Sequence, residues 1–280
     1  MIAKKELENG FVYYEIKNRA AEAKIALQGA HIFHYKKIEE EPLLWLSDIS
    51  DFKYGESIRG GIPVCWPWFG MNKDLSLPKH GFARLSIWEF AGANEIDDRT
   101  TALSFRLTYN AKTLDIWPYK FELSLHVVIS DTLDIELKTV NIDDKAFEIT
   151  QALHTYFAVW DISHVRVKGL GEKPYLDALT WKKELQKGDV TFEGEVDRVY
   201  QEVDNDILLE DKKRTLCIRN GGSSSAVVWN PWIDKCKRMG AMREDAYKHF
   251  VCIESANAFE DKKSVYPNES YILKAVIKRY

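Results

Sequence analysis

The sequence predicts an all-β fold, a large antiparallel β-sandwich with a few short helices, built as a single domain over residues 1–280. Three observations carry this expectation. Through the middle of the chain apolar residues recur at every second position, the period of a strand buried on one face. Strand-like runs follow one another across turn residues without the alternating helices of a βαβ repeat. Finally, 45% of the residues are hydrophobic, which over 280 residues is enough to fill a large core. No Gly/Ser/Pro-rich linker, internal repeat or low-complexity tract marks a second domain.

In chain order, the first strand-like run covers Ala23 to Ala30. Leu103, Phe105, Leu107 and Tyr109 then share one face, as do Phe121, Leu123, Leu125, Val127 and Ile129, and again Leu133, Ile135, Leu137 and Thr139. Ser130-Asp131-Thr132 is a turn-like break that joins the last two sets into a long antiparallel hairpin. Further runs cover Thr150 to Val159, His164 to Gly169, Leu216 to Arg219, Ala226 to Trp229, Phe250 to Ser255 and Tyr271 to Lys278. Helical spacing is confined to short pieces, the clearest at Ile233 to Met239.

Charge and cysteine usage narrow the partners. The formal net charge is -4 and the basic residues are dispersed, which argues against a nucleic-acid or anionic membrane surface. Any anionic ligand would be held by a few placed arginines. Cys65, Cys217, Cys236 and Cys252 show no CxxC spacing and lie in apolar or mixed runs, as reduced thiols of a cytosolic protein do. The N-terminal residues carry no apolar signal region, and no run approaches a membrane span. The expectation is a cytoplasmic monomer acting on a small molecule.

Five segments could carry chemistry. Arg59-Gly60-Gly61-Ile62-Pro63-Val64-Cys65-Trp66-Pro67-Trp68-Phe69-Gly70 and His80-Gly81-Phe82-Ala83-Arg84 set two arginines and a histidine among turn-forming and aromatic residues. Arg59 and Arg84 can each present a planar fork of donors to a phosphate or carboxylate, while Gly60-Gly61 lets backbone approach closely. The plainer alternative is a buried turn with surface arginines. His154 lies on a strand-like run and titrates nearest neutral pH, yet it also suits a hydrogen-bonded core histidine. Glu254 closes an apolar run, where a carboxylate is costly unless paired or retuned, or else it points to solvent from a polar strand face. Asp197 could accept from hydroxyl groups or simply pair with Arg198.

Absent signatures matter as well. There is no GxGxxG opening a helix, no P-loop, no GxSxG, no HExxH and no paired CxxC, and the seven histidines are scattered without metal spacing. One His, one Glu, two Arg and many aromatics on a β scaffold can move protons on a small polar substrate with no cofactor and no metal.

Taken together these segments resemble the hexose-6-phosphate mutarotases, or glucose-6-phosphate 1-epimerases, of the aldose 1-epimerase superfamily. The resemblance also runs through Leu43-Leu44-Trp45-Leu46-Ser47, Trp117-Pro118-Tyr119-Lys120-Phe121, Leu153-His154-Thr155-Tyr156-Phe157, Asp197-Arg198-Val199-Tyr200, Val228-Trp229-Asn230-Pro231-Trp232 and Cys252-Ile253-Glu254-Ser255-Ala256-Asn257. It implies a galactose mutarotase-like β-supersandwich. It also implies Glu254 as the base taking the C1 hydroxyl proton, and His154 as the acid protonating the ring oxygen. Proximity of two such groups would favour both charged forms. By the same resemblance His80 and Asp197 bind sugar hydroxyls, and Arg59 and Arg84 bind the phosphate. Trp66, Trp68 or Trp229 could stack on the C–H face of the sugar, and Lys79 could add charge near the phosphate or point outward. Two rival readings remain: a free-aldose 1-epimerase whose arginines are structural, and a non-catalytic carbohydrate-binding or sensing module on the same fold.

Overall fold

The period-two alternation becomes a hairpin in the computed structural model, which describes residues 1–280. Strands Phe121–Ile129 and Thr132–Asn141 pair antiparallel from Phe121↔Asn141 to Ile129↔Leu133, with their apolar residues on one buried face. They lie inside an eight-stranded sheet in the order Arg166–Lys168, Ile207–Glu210, Thr215–Gly221, Ser270–Arg279, Thr132–Asn141, Phe121–Ile129, Thr101–Thr108, Glu89–Glu95.

A second eight-stranded sheet carries the order Lys182–Leu185, Pro174–Asp177, Val196–Tyr200, Ser225–Asn230, Phe250–Asn257, Gln151–Leu153, Val64–Cys65, and Tyr156–Ala158 also pairs with Phe250–Asn257. A four-stranded sheet (Ile2–Glu6, Val12–Lys17, Ala21–Ala26, Ile32–Lys37) and a two-stranded ribbon (Phe147–Ile149, Lys263–Val265) complete the β-sandwich. Two helices, Ala111–Ile116 and Trp232–Arg238, and four short 3-10 turns are the only helical pieces. No helix is long and apolar enough to cross a membrane.

The central strands of the second sheet are buried on both faces, and the two faces differ. One face contributes Val64, Leu153, Phe157, Val196, Tyr200, Ala226, Val228, Val251 and Ile253 to a core of 53 residues shared with the other sheets. The opposite face, built by the alternate residues, contributes Cys65, Ala152, Tyr156, Val199, Val227, Trp229, Cys252 and Ala256 to a separate cluster of 13. Every residue of Phe250–Asn257 is therefore buried, which is why its sequence reads as an almost continuous apolar run.

Several expectations change in detail. The run from Ala23 ends as a strand at Ala26, because Gly29 and Ala30 take positive φ (71° and 45°) and turn the chain into Ile32–Lys37. The run Thr150 to Val159 divides at His154-Thr155 into two short strands. His164 closes a 3-10 turn, leaving the strand to Arg166–Lys168. The helix expected at Ile233 to Met239 lies one residue earlier. The helix Ala111–Ile116 carries little periodicity of its own; it is started by Asn110, whose side chain accepts from the Thr113 backbone while Thr113 Oγ1 accepts from the Asn110 backbone.

Candidate active site

Strand register brings His154 and Glu254 together. Leu153 faces Ser255 and Tyr156 faces Cys252, so the two residues between them, His154 and Thr155, stand opposite Glu254 and Ile253. Directly opposed residues have Cβ atoms roughly 5 Å apart on a shared face. At that position the two short strands are interrupted, the His154 N–H donates to the Pro63 carbonyl (3.0 Å), and His154 Nε2 comes to 3.2 Å from Glu254 Oε1. Both side chains are buried, Glu254 to 1% exposure. His154 Nδ1 and Glu254 Oε2 have no protein partner, so the pair presents two unmet polar atoms.

Alternation along the same strands places the neighbours. Tyr156, two residues from His154, stacks on its imidazole at 5.0 Å and 13°. Trp229, opposite both Asp197 and Cys252, meets the imidazole edge-on at 6.0 Å. Asp197 thus lies on the Trp229 side of the same face, with its carboxylate 3.6 Å from Lys235 Nζ.

The two loops close the other side. Arg59 is anchored by backbone bonds, its N–H to Ser50 Oγ (2.8 Å) and its carbonyl from the Ser47 N–H (3.0 Å). The turn that follows needs glycine: Gly60 has φ 114°, and a Cβ there would sit 2.5 Å from the Trp45 carbonyl oxygen. The Gly60 carbonyl accepts from buried His31 Nε2 (2.8 Å), and the Gly61 carbonyl accepts from the Tyr156 N–H (2.9 Å), tying the arginine turn to the His154 strand. His80 sits at φ 64°; its Nδ1 accepts from the Gly70 N–H (3.1 Å), which leaves Nε2 as the protonated nitrogen. The His80 ring lies 5.7 Å from that of His154. Arg84 Nη2 donates to the Lys79 carbonyl (2.7 Å), and the Nε atoms of Arg84 and Arg59 are buried without a partner.

The electrostatics of the pair differ from the sequence expectation that both members are charged. Burial pushes His154 down to about 3, and the positive charges of Arg84, Lys79 and Arg59 push the same way. Burial holds the Glu254 carboxyl well above its usual range, reinforced by Asp197 and opposed by Lys79 and Arg84. In the protein alone desolvation therefore outweighs mutual attraction, and burial disfavours the charged form of each member. His80 is likewise held well below its ordinary value, by burial first and then by His154 and the three cations, and stays neutral. Burial raises Asp197 against the pull of Lys235 and Lys79.

All six residues singled out in the sequence converge: His154, Glu254, His80 and Asp197 surround one face, and the charges of Arg59 and Arg84 reach His154. Of the tryptophans, Trp66 is a core residue, wholly buried with Nε1 donating to Thr139 Oγ1 (3.0 Å), and cannot stack on a ligand. Trp68 packs edge-on against Phe82 with Nε1 on the Pro78 carbonyl, so of the three only Trp229 borders His154. Lys79 is exposed, and its positive charge still bears on His154, Glu254 and Asp197. Tyr156, His31 and Lys235 were not singled out; only their positions in the register and turns reveal them. No group of three or more His, Cys, Asp or Glu side chains is placed to hold a metal ion.

Comparison with known proteins bears on the family and the fold. Residues 13–278 match the family described as aldose 1-epimerase. A protein of Escherichia coli K12 named "Putative glucose-6-phosphate 1-epimerase" is 39% identical over 258 residues, covering 91% of this chain and 86% of its own. Its namesake in Salmonella typhimurium LT2 is 40% identical over 240 residues, covering 84% and 80%. A Salmonella typhimurium crystal structure described as a putative mutarotase superposes with a TM-score of 0.93 at 34% identity, over 99% of this chain and 93% of that one. A match over nearly the whole length, to relatives well above 30% identity, leads to one conclusion: the chain belongs to the aldose 1-epimerase family.

Proposed function

We propose that this enzyme interconverts the α and β anomers of hexose 6-phosphates, glucose 6-phosphate foremost, with His154 and Glu254 as its acid/base pair. One observation carries the reading: a buried imidazole and carboxyl at 3.2 Å, each with an unmet polar atom, lie within the field of three cations. The entire chain, 1–280, acts as one domain in this reading, since 53 buried residues form a shared core.

The pair holds one proton. Its passage from Glu254 to His154 gives a carboxylate and an imidazolium, the working forms. Glu254 then takes the proton of the C1 hydroxyl as His154 protonates the ring oxygen. The C1–O5 bond breaks, C1 becomes an aldehyde, rotation about C1–C2 exposes its other face, and closure with roles reversed yields the other anomer. No atom is gained or lost and the pair returns to its first state. Each positioned proton donor or acceptor contributes on the order of 10² to 10⁴ in rate. His80, a neutral Nε2–H donor, and Asp197 hold the hydroxyls, and the Trp229 ring offers an apolar surface to the C–H face. Arg59 and Arg84 meet the phosphate, whose roughly two negative charges need local cations in a protein of net charge -4.

The free-aldose reading keeps one observation in its favour, the Arg84 Nη2 bond to the Lys79 carbonyl, which gives that arginine a structural use. Two-dimensional NMR exchange on glucose 6-phosphate and on glucose separates the cases. Acceleration of the phosphosugar well beyond that of glucose supports the proposal. Equal acceleration of both overturns the substrate class, and no acceleration of either overturns the catalytic reading.

A further inference from the structure

Lys235 stands out among the groups that the reaction as proposed does not use. It lies on the helix Trp232–Arg238, which follows the strand carrying Trp229, and its side chain is one-third exposed. Its ammonium has two carboxylate partners, Glu195 just before the strand Val196–Tyr200 at 2.6 Å and Asp197 on that strand at 3.6 Å. It also lies 5.8 Å from the centre of the Trp229 ring, within reach of a cation–π attraction. That ring in turn meets the His154 imidazole edge-on at 6.0 Å. A lysine held from three sides at the margin of a buried site is more constrained than a surface ion pair.

We propose that Lys235 is a positioning residue: bridging Glu195 and Asp197, it keeps the Asp197 carboxylate ionised and aimed at the sugar hydroxyls. The inference rests on the proposed role of Asp197 as a hydroxyl acceptor, and its electrostatic half stands without it. An ionised carboxylate accepts two or more hydroxyl hydrogen bonds, whereas a protonated one gives up acceptor capacity and becomes a donor. Burial works against ionisation of Asp197, and the charged groups facing it are few: Lys235 from the helix, Lys79 from the loop before His80, Glu195 on its own strand approach, and Glu254 two strands away. Lys235 is the cation that touches it. Glu195 divides the ammonium's charge, so that Asp197 is held without being neutralised by a tight contact of its own.

Two substitutions shift Asp197 in opposite directions, which a merely structural lysine would not do. Lys235→Met keeps the aliphatic length and removes the charge; an opposite charge at this range is worth about one pKa unit or more, so the Asp197 midpoint rises by that amount. Glu195→Gln removes a neighbouring negative charge and frees the ammonium, so the midpoint falls. Lys235→Arg restores the wild-type value. The midpoint is read by ¹³C-carboxyl NMR titration of the folded protein, with the Asp197 resonance assigned by its loss in Asp197→Asn. In exchange kinetics Lys235→Met raises KM about tenfold for glucose 6-phosphate and for glucose alike, and moves the acid limb of kcat/KM to higher pH. An Asp197 midpoint unmoved in both variants overturns the proposal, as does a loss confined to the phosphosugar, which would make Lys235 a phosphate ligand. Should the wild-type protein accelerate neither sugar, the epimerase reading fails while the titration still decides the Lys235–Asp197 link.

Discussion

Replacing Glu254 by Gln tests the site at its centre, because the change keeps the side chain's shape and removes only its capacity to exchange a proton. Glu254 Oε1 lies 3.2 Å from His154 Nε2 and the residue is 1% exposed, so bulk water is a poor substitute for the missing base. Loss of one positioned proton acceptor costs on the order of 10² to 10⁴ in rate, and so closed a site places the expected loss in the upper half of that range. The two groups act on a single proton inventory. The double variant with His154→Asn should therefore fall little further than the worse single one, rather than by the product of the two losses. The assay is α/β exchange of glucose 6-phosphate by NMR, with the spontaneous rate subtracted. Stability provides a second readout of opposite sign. Because burial raises Glu254 above its unfolded value, its contribution is fully present below about pH 4.5 and is lost as pH rises through the folded value, at about 1.4 kcal/mol per unit of displacement. Glu254→Gln removes that loss and should match wild type in urea unfolding at pH 4 and exceed it at pH 8. An exchange rate within about threefold of wild type, far below the smallest loss expected of a base, would refute the assignment; so would losses that multiply in the double variant.

Three further outcomes follow from the geometry. Arg84→Ala removes charge-assisted bonds worth about 1.5–3 kcal/mol and should raise KM for glucose 6-phosphate about 10- to 100-fold, with kcat and the glucose rate little changed; an equal effect on both sugars would assign Arg84 to structure. His154 is pushed down to about 3, so the stability it confers is present above about pH 6.5 and is lost as pH falls toward 3. His154→Asn should flatten acid unfolding in that window, and an unchanged profile would contradict the neutral imidazole. Gly81 has φ 72° and faces the Trp66 carbonyl so closely that a Cβ would overlap it, so Gly81→Ala should cost roughly 2–4 kcal/mol, and a melting temperature within about 2 °C of wild type would show that the loop carrying His80 is more pliant than its packing implies.

Much of this was legible before any coordinates. Leu103 to Tyr109, Phe121 to Ile129 and Leu133 to Thr139 name their own strands, because side-chain alternation is local and one buried face repeats it. The strands Ile2–Glu6 and Lys182–Leu185 were not legible: as edge strands they are largely exposed and carry charged residues that obscure the period. Glu254 could be singled out because a carboxylate in an apolar run is anomalous wherever it lies. Lys235 could not, since an exposed-looking lysine on a short helix carries no such anomaly. The phosphate role of Arg59 and Arg84 came from resemblance to a family rather than from their own chemistry, which allows a structural turn equally well.

By itself, then, the sequence determined the class of the fold, the residues on which acid/base chemistry could rest, and the short list of cations available to an anion. Only the tertiary structure decided that His154 stands opposite Glu254, that Trp229 rather than Trp66 borders them, and that burial disfavours the charged form of both members of the pair. The physical reason is range. Alternation and turn chemistry act between neighbours along the chain, whereas register joins residues a hundred positions apart and desolvation sums over everything packed around a group.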